Sequence, residues 1–223
     1  MGLTIVDFIK QQYADGALTK PYDAYQKLLA NPDAFMRKFA VDIDEGTGSG
    51  SGVRTAYMIN GGTAKRPGEV LGTQRMHTTE SFRIRERPDA ELTDRMCYYP
   101  FPAHFVAMHP SNIQPIPWYA LTGGPDVMLT CKLTGCSFVV RKQNNVVEAA
   151  HLQPQEESGL DLNKRLQGGG QVAFGRVNYD LEKRTITILG VRSGGRWRMF
   201  AQKWNKMETK TPTILSVHEF FHE

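Results

Sequence analysis

From Val127 onward the chain repeats one pattern: short runs in which apolar and polar residues alternate, separated by turn signals rich in Asn, Gly and Asp. Alternation with period two sends every second side chain to the same face of a strand. Asn and Gly supply the left-handed backbone that tight hairpins need. The pattern predicts strands near 127–133, 136–142, 145–152, 171–178, 184–191, 195–204 and 213–217. Turns fall at Gln143-Asn144-Asn145, Asn178-Tyr179-Asp180 and Ser193-Gly194-Gly195. Shorter alternating runs occupy 53–59, 69–76 and 80–86. Five prolines (Pro100, Pro102, Pro110, Pro115 and Pro117) predict an irregular covering segment over 100–117. Residues 154–170 are polar and end in Gly168-Gly169-Gly170, which reads as a mobile loop.

The first forty residues have a different texture. Leu3, Val6, Ile9 and Tyr13 are spaced for one helical face over 3–14, and Gly16 follows as a stop. Pro21 suits the first turn of a second helix carrying Tyr25, Leu28 and Leu29, which breaks at Asn31-Pro32. Asp33 is expected to cap a third, carrying Phe35, Met36 and Phe39. Residues 44–52, Asp-Glu-Gly-Thr-Gly-Ser-Gly-Ser-Gly, read as a linker or loop. They lack the glycine spacing and the Gly-Lys-Ser/Thr ending of a phosphate loop. The expected organisation is a helical segment over 1–43, a Gly/Ser linker over 44–52 and a β-rich catalytic part over 53–223, all within one structural domain. With 223 residues, 40% of them apolar, a sizeable core is available. The class is α+β: N-terminal helices against a β-sandwich or antiparallel sheet.

A net charge of +4 is too small to demand a nucleic-acid partner. Arg192, Arg196, Arg198, Lys203 and Lys206 interleave with Trp197 and Trp204, as in a half-buried strand pair whose charges face water. No run of apolar residues is long enough for a membrane helix. Three cysteines, Cys97, Cys131 and Cys136, are too few for a disulfide framework. With no recognisable leader at Met1–Asp7, they predict a reducing, cytoplasmic setting. No cofactor or metal is expected. His218-Glu219-Phe220-Phe221-His222 matches the His-Glu-x-x-His zinc pattern, which needs a helix, but Thr211–Leu215 before it reads as extended. His104 and His109 are spaced for neither one helical face nor one strand face.

The chemistry-bearing constellation lies in Val127–Pro154. A two-residue turn at Gln143-Asn144 would set Cys136 directly opposite His151, and a turn at Asn144-Asn145 would make them diagonal neighbours on the same face. Either arrangement brings an imidazole within reach of a thiol, as a cysteine nucleophile requires. Thr134-Gly135 suits a tight turn that could aim backbone N–H groups at a reacting oxygen. The bland alternative is a buried, packing cysteine on a binding module.

Leu133-Thr134-Gly135-Cys136, with a histidine fifteen residues on, resembles the cytotoxic necrotizing factor deamidases and the related bacterial lethal-factor deamidase. Those proteins carry Leu-Ser-Gly-Cys before their catalytic histidine, so Thr134 is a departure. The resemblance implies a β-sandwich flanked by helices and conversion of a glutamine to glutamate in a host protein substrate. Delivery into the host would be by a specialised secretion system. It implies Cys136 as nucleophile, His151 as base and the main-chain carbonyl of Thr130 as an orienting group. A cysteine protease or a transglutaminase-like enzyme could use the same pair.

Overall fold

A computed structural model describes residues 20–43, 50–70, 73–86, 98–179, 185–206 and 211–223. The helix expected over 3–14, Cys97 and most of the Gly/Ser run lie outside the described residues.

Helix α1 spans Pro21–Ala30 and α2 spans Pro32–Lys38, each opened by a proline whose missing N–H has no helical acceptor to lose. The cap of α2 is Asn31, whose side chain accepts from the Ala34 N–H at 3.1 Å, and not Asp33, which instead pairs with Arg37 one turn on. Strand β1 (Ala40–Ile43), which the sequence pattern does not announce, follows directly and pairs in parallel with β3 (Thr73–Arg85). Buried Gln202 makes this junction. Its side chain donates to the carbonyls of Met36 and Phe39 at 2.6 and 2.7 Å and accepts from the Val41 N–H at 2.8 Å.

The short runs after residue 52 are parts of two long strands. They are β2 (Gly52–Val70) and β3, paired from Tyr57↔Arg85 to Val70↔Thr73 with a bulge at Asn60/Gly62. Residues 100–117 are not simply an irregular cover. They contain the greater part of β4 (Tyr98–Val106) and all of β5 (Met108–Pro110). Pro100 and Pro102 are tolerated because β4 pairs with β7 (Val127–Thr130) only from His104 onward, leaving one side of the earlier stretch unpaired.

The larger sheet runs β1-β3-β2-β13-β12-β11-β7-β4, with β11 at Thr185–Ser193, β12 at Arg196–Lys206 and β13 at Pro212–His222. Since β4 also pairs with β2, six of these strands close into a ring. The second sheet is β10-β8-β9-β5, comprising β8 (Ser137–Gln143), β9 (Val146–Gln153) and β10 (Gln171–Phe174), with β6 (Tyr119–Ala120) pairing to β9. Helices α1 and α2 pack on one face of the larger sheet through Leu28, Phe35 and Met36. The other face packs on the second sheet through Met128, Phe138, Ile188 and Trp197. The fold is thus α+β with a β-sandwich at its centre.

Residues 154–170 are not an uninterrupted loop. They carry α3 (Gly159–Arg165), capped by Ser158 and buried through Leu162 against the outer face of the second sheet. The strand expected to run to 178 ends at Phe174 and gives way to a turn. The last strand runs to His222, so His218 and His222 sit on extended chain and not on the helix a zinc pattern needs. Among the described residues no cluster of three or more His, Cys, Asp or Glu could hold a metal ion. No helix among them is long and apolar enough to cross a membrane. Trp197 and Trp204 are buried, as the half-buried strand reading of the basic cluster expects.

Candidate active site

The β8–β9 hairpin turns at Asn144-Asn145, which adopt φ of 49° and 61°, with Gln143 opposite Val146. Asparagine tolerates this left-handed backbone, and two such residues give the turn whose twist matches the strands. The turn fixes the register. His151 lies opposite Phe138, so Cys136 is not its direct partner: it lies two residues before Phe138, just ahead of the paired residues, which begin at Ser137.

His151 is fully buried between the sheets. Its Nδ1 is 2.7 Å from Thr130 Oγ1, and that hydroxyl donates to the Val106 carbonyl at 2.8 Å. A hydroxyl has one hydrogen, so Nδ1–H must be the donor to Thr130, and the lone pair of the neutral ring sits on Nε2. Nε2 is buried with no hydrogen-bond partner. Burial pushes the imidazole pKa down to about 3, and the charge of His109 adds to the shift. The ring is therefore neutral near pH 7. Thr130 holds it through its side chain, whereas the family resemblance assigned that task to the main-chain carbonyl.

Both Cys136 and Cys131 are thiols, and both line an open cleft of about 370 Å³ with Thr130, Lys132, Thr134, Met108, His109, Arg54 and Gln153. Cys131 Sγ lies 3.4 Å from His151 Nδ1. That nitrogen carries the hydrogen, so Cys131 faces the donor side of the ring and cannot hand it a proton. Cys136 is only 6% exposed and donates to the Met108 thioether at 3.5 Å. Met108, the Cα partner of His151 across β5–β9, is 43% exposed and covers the thiol.

No protein-family model matches this sequence, and no curated protein matches it either. The resemblance to the deamidases rests on Thr130 to His151 alone.

Gly135 does not need to be a glycine for the reason expected. Its backbone is not left-handed, and a Cβ there would meet nothing within 4 Å. It is Gly159 that must be small, since a Cβ on it would lie 2.9 Å from the Gly135 carbonyl oxygen. Thr134 is exposed at the mouth of the cleft. The Arg and Lys side chains among the described residues on the cleft wall are paired, Arg54 with Glu86 at 3.1 Å and Lys132 with Asp42 at 2.9 Å. Sequence reasoning missed Met108 and Cys131 as members of the site. Met108 was hidden in the proline-rich segment, and Cys131 carried no spacing signal of its own.

Proposed function

We propose that this protein is a cysteine-dependent hydrolase that deamidates a glutamine side chain on a protein substrate. The carrying observation is the state of His151, with Nδ1 tied to Thr130 and Nε2 bare and buried, on the strand paired with the one that Cys136 immediately precedes. Such a ring accepts the thiol proton as sulfur attacks the amide carbon. The imidazolium then protonates the departing nitrogen, ammonia leaves, and a thioester remains on Cys136. Water, its proton drawn off by the same nitrogen, adds to the thioester carbonyl. The products are glutamate and the restored thiol.

The choice of a side-chain amide comes from the Leu-Thr-Gly-Cys resemblance, as do the proposals of a bacterial toxin and of a host-cell target. Intact-mass spectrometry of candidate substrate proteins tests it. Replacing –NH2 by –OH adds about one mass unit, whereas a peptidase would split the chain and an amine acceptor would add its own mass less ammonia. Cys136→Ser and His151→Ala should each abolish the shift. Equal activity in Cys136→Ser would refute the reading.

A non-enzymatic binding module is the second reading, favoured by the near-complete burial of Cys136, whose thiol contacts the Met108 thioether. It predicts slow iodoacetamide labelling of Cys136, indifferent to His151→Ala.

A further inference from the structure

Cys136 sits on irregular chain between an isolated bridge at Leu133 and the start of β8. Nothing in a free loop would hold its backbone at one angle. Three contacts from a single distant region do so. The Tyr179 hydroxyl donates to the Cys136 carbonyl at 2.7 Å across 43 residues of sequence. Gly175 packs on the Ser137 hydroxyl, with no room for a Cβ, and Gly159 packs on the Gly135 carbonyl. Contacts from residues 159–179 thus reach the residues before, at and after the cysteine.

We propose that Tyr179 is a positioning residue for Cys136, fixing the peptide group that aims the thiol toward His151; this rests on the Cys–His reading above. The phenol is well placed for that task. It is 3% exposed, its ring stacks on Phe174 at 6.3 Å, and the Arg176 guanidinium lies 5.8 Å from its ring centroid. Its own segment is rigidly closed. The Gly175 N–H donates to the Asn178 side chain at 3.0 Å, the Asn178 N–H to the Gly175 carbonyl at 2.7 Å, and the Val177 N–H to Asn163 at 3.1 Å. Burial raises the phenol's pKa, so it remains a hydrogen donor at any working pH. A carbonyl held in this way cannot rotate about the Cα–C bond of Cys136. The direction of the neighbouring Cα–Cβ bond, and with it the thiol, stays constant between turnovers.

The test uses the whole protein and iodoacetamide, with peptide-resolved mass spectrometry to score Cys136 and Cys131 separately. Tyr179→Phe keeps the ring and its stacking and removes one hydrogen bond. Cys136 labelling near pH 7 should fall by about 3- to 10-fold, the range one hydrogen bond governs. Its pH profile should move onto that of His151→Ala, while Cys131 labels at the wild-type rate. Amide hydrogen exchange should quicken in Leu133–Phe138 and little elsewhere. Asn31→Ala, which removes the α2 cap, supplies a comparable loss of stability far from the cleft and should leave Cys136 labelling unchanged. Wild-type rate, profile and exchange in Tyr179→Phe would overturn the proposal and leave the Cys–His reading standing. An equal effect from Asn31→Ala would overturn it too, by tracing the change to global stability. If His151→Ala itself labels like wild type, the Cys–His reading falls first and the proposal with it.

Discussion

Thr130 and His151 form one relay: the imidazole Nδ1–H donates to the threonine hydroxyl at 2.7 Å, and that hydroxyl donates to the Val106 carbonyl at 2.8 Å. The carbonyl at the end fixes the direction of both hydrogens, and so leaves the basic lone pair on Nε2. Thr130→Val keeps the shape and removes the relay. It should lower His151-dependent labelling of Cys136 about tenfold and stability by roughly 1–2 kcal/mol, while Thr130→Ser should restore most of both. Labelling kinetics beside thermal melts would check this.

Met108 lies over the Cys136 thiol with its own side chain 43% exposed. Met108→Ala should open the cleft and raise Cys136 alkylation several-fold, at a stability change within about 1 kcal/mol because the residue is largely at the surface. Cys131 labelling should change little. An unchanged Cys136 rate would mean that the thioether swings aside freely.

The buried imidazole also sets an acid sensitivity. The His151 pKa in the folded protein is about 3, below its ordinary value of 6.5, so the unfolded chain takes up a proton first as pH falls. Its stabilising contribution is complete above pH 6.5 and is lost progressively as the pH drops toward 3. His104, also lowered by burial, acts in the same direction. Glu157, held low mainly by Arg165, adds its loss only below the carboxylate range near 4.5. Melting temperatures between pH 7 and 5 therefore isolate the histidines. In that window His151→Phe should melt with a shallower pH dependence than wild type.

Gln202, itself fully buried, satisfies three backbone groups: the carbonyls of Met36 and Phe39 and the Val41 N–H. Gln202→Leu keeps the volume and strands all three. A loss of roughly 3–5 kcal/mol is expected in chemical denaturation, from about 1–3 kcal/mol for each unsatisfied group offset by partial relaxation.

Gly135→Ala should be nearly silent in stability, within about 0.5 kcal/mol, since neither its backbone angle nor its surroundings demand a glycine. Gly159→Ala should cost more, because its Cβ would press on the Gly135 carbonyl and the Arg176 side chain. Parallel melts of the two variants distinguish the glycine that is required from the one that merely precedes the cysteine.

The legible parts of this fold were those that depend on neighbours in sequence. Alternation announced β7, β8, β9, β11 and β12, and the Asn pair announced the turn between Gln143 and Val146. Parity placed Cys136 on the His151 face only if the strand included it, and β8 begins one residue later, at Ser137. What local pattern could not carry was tertiary. Pro100 and Pro102 read as strand breakers until β4 is known to have an unpaired side. The seven residues of α3 were masked by polar neighbours, though Ser158 ahead of Leu162 was a usable cap signal. Tyr179 and Gly159 reach the cysteine turn from far along the chain, and no spacing rule points to them.

The Asn144-Asn145 tip has an implication for how such a site can vary. Side chains on paired strands change face with every residue, so the proposed pairing of thiol and imidazole would tolerate length changes at the tip only in steps of two. A homologous protein could carry two more residues there and keep the pair. One added residue, unless absorbed by a bulge, would turn His151 away from the thiol even with all of its atoms intact.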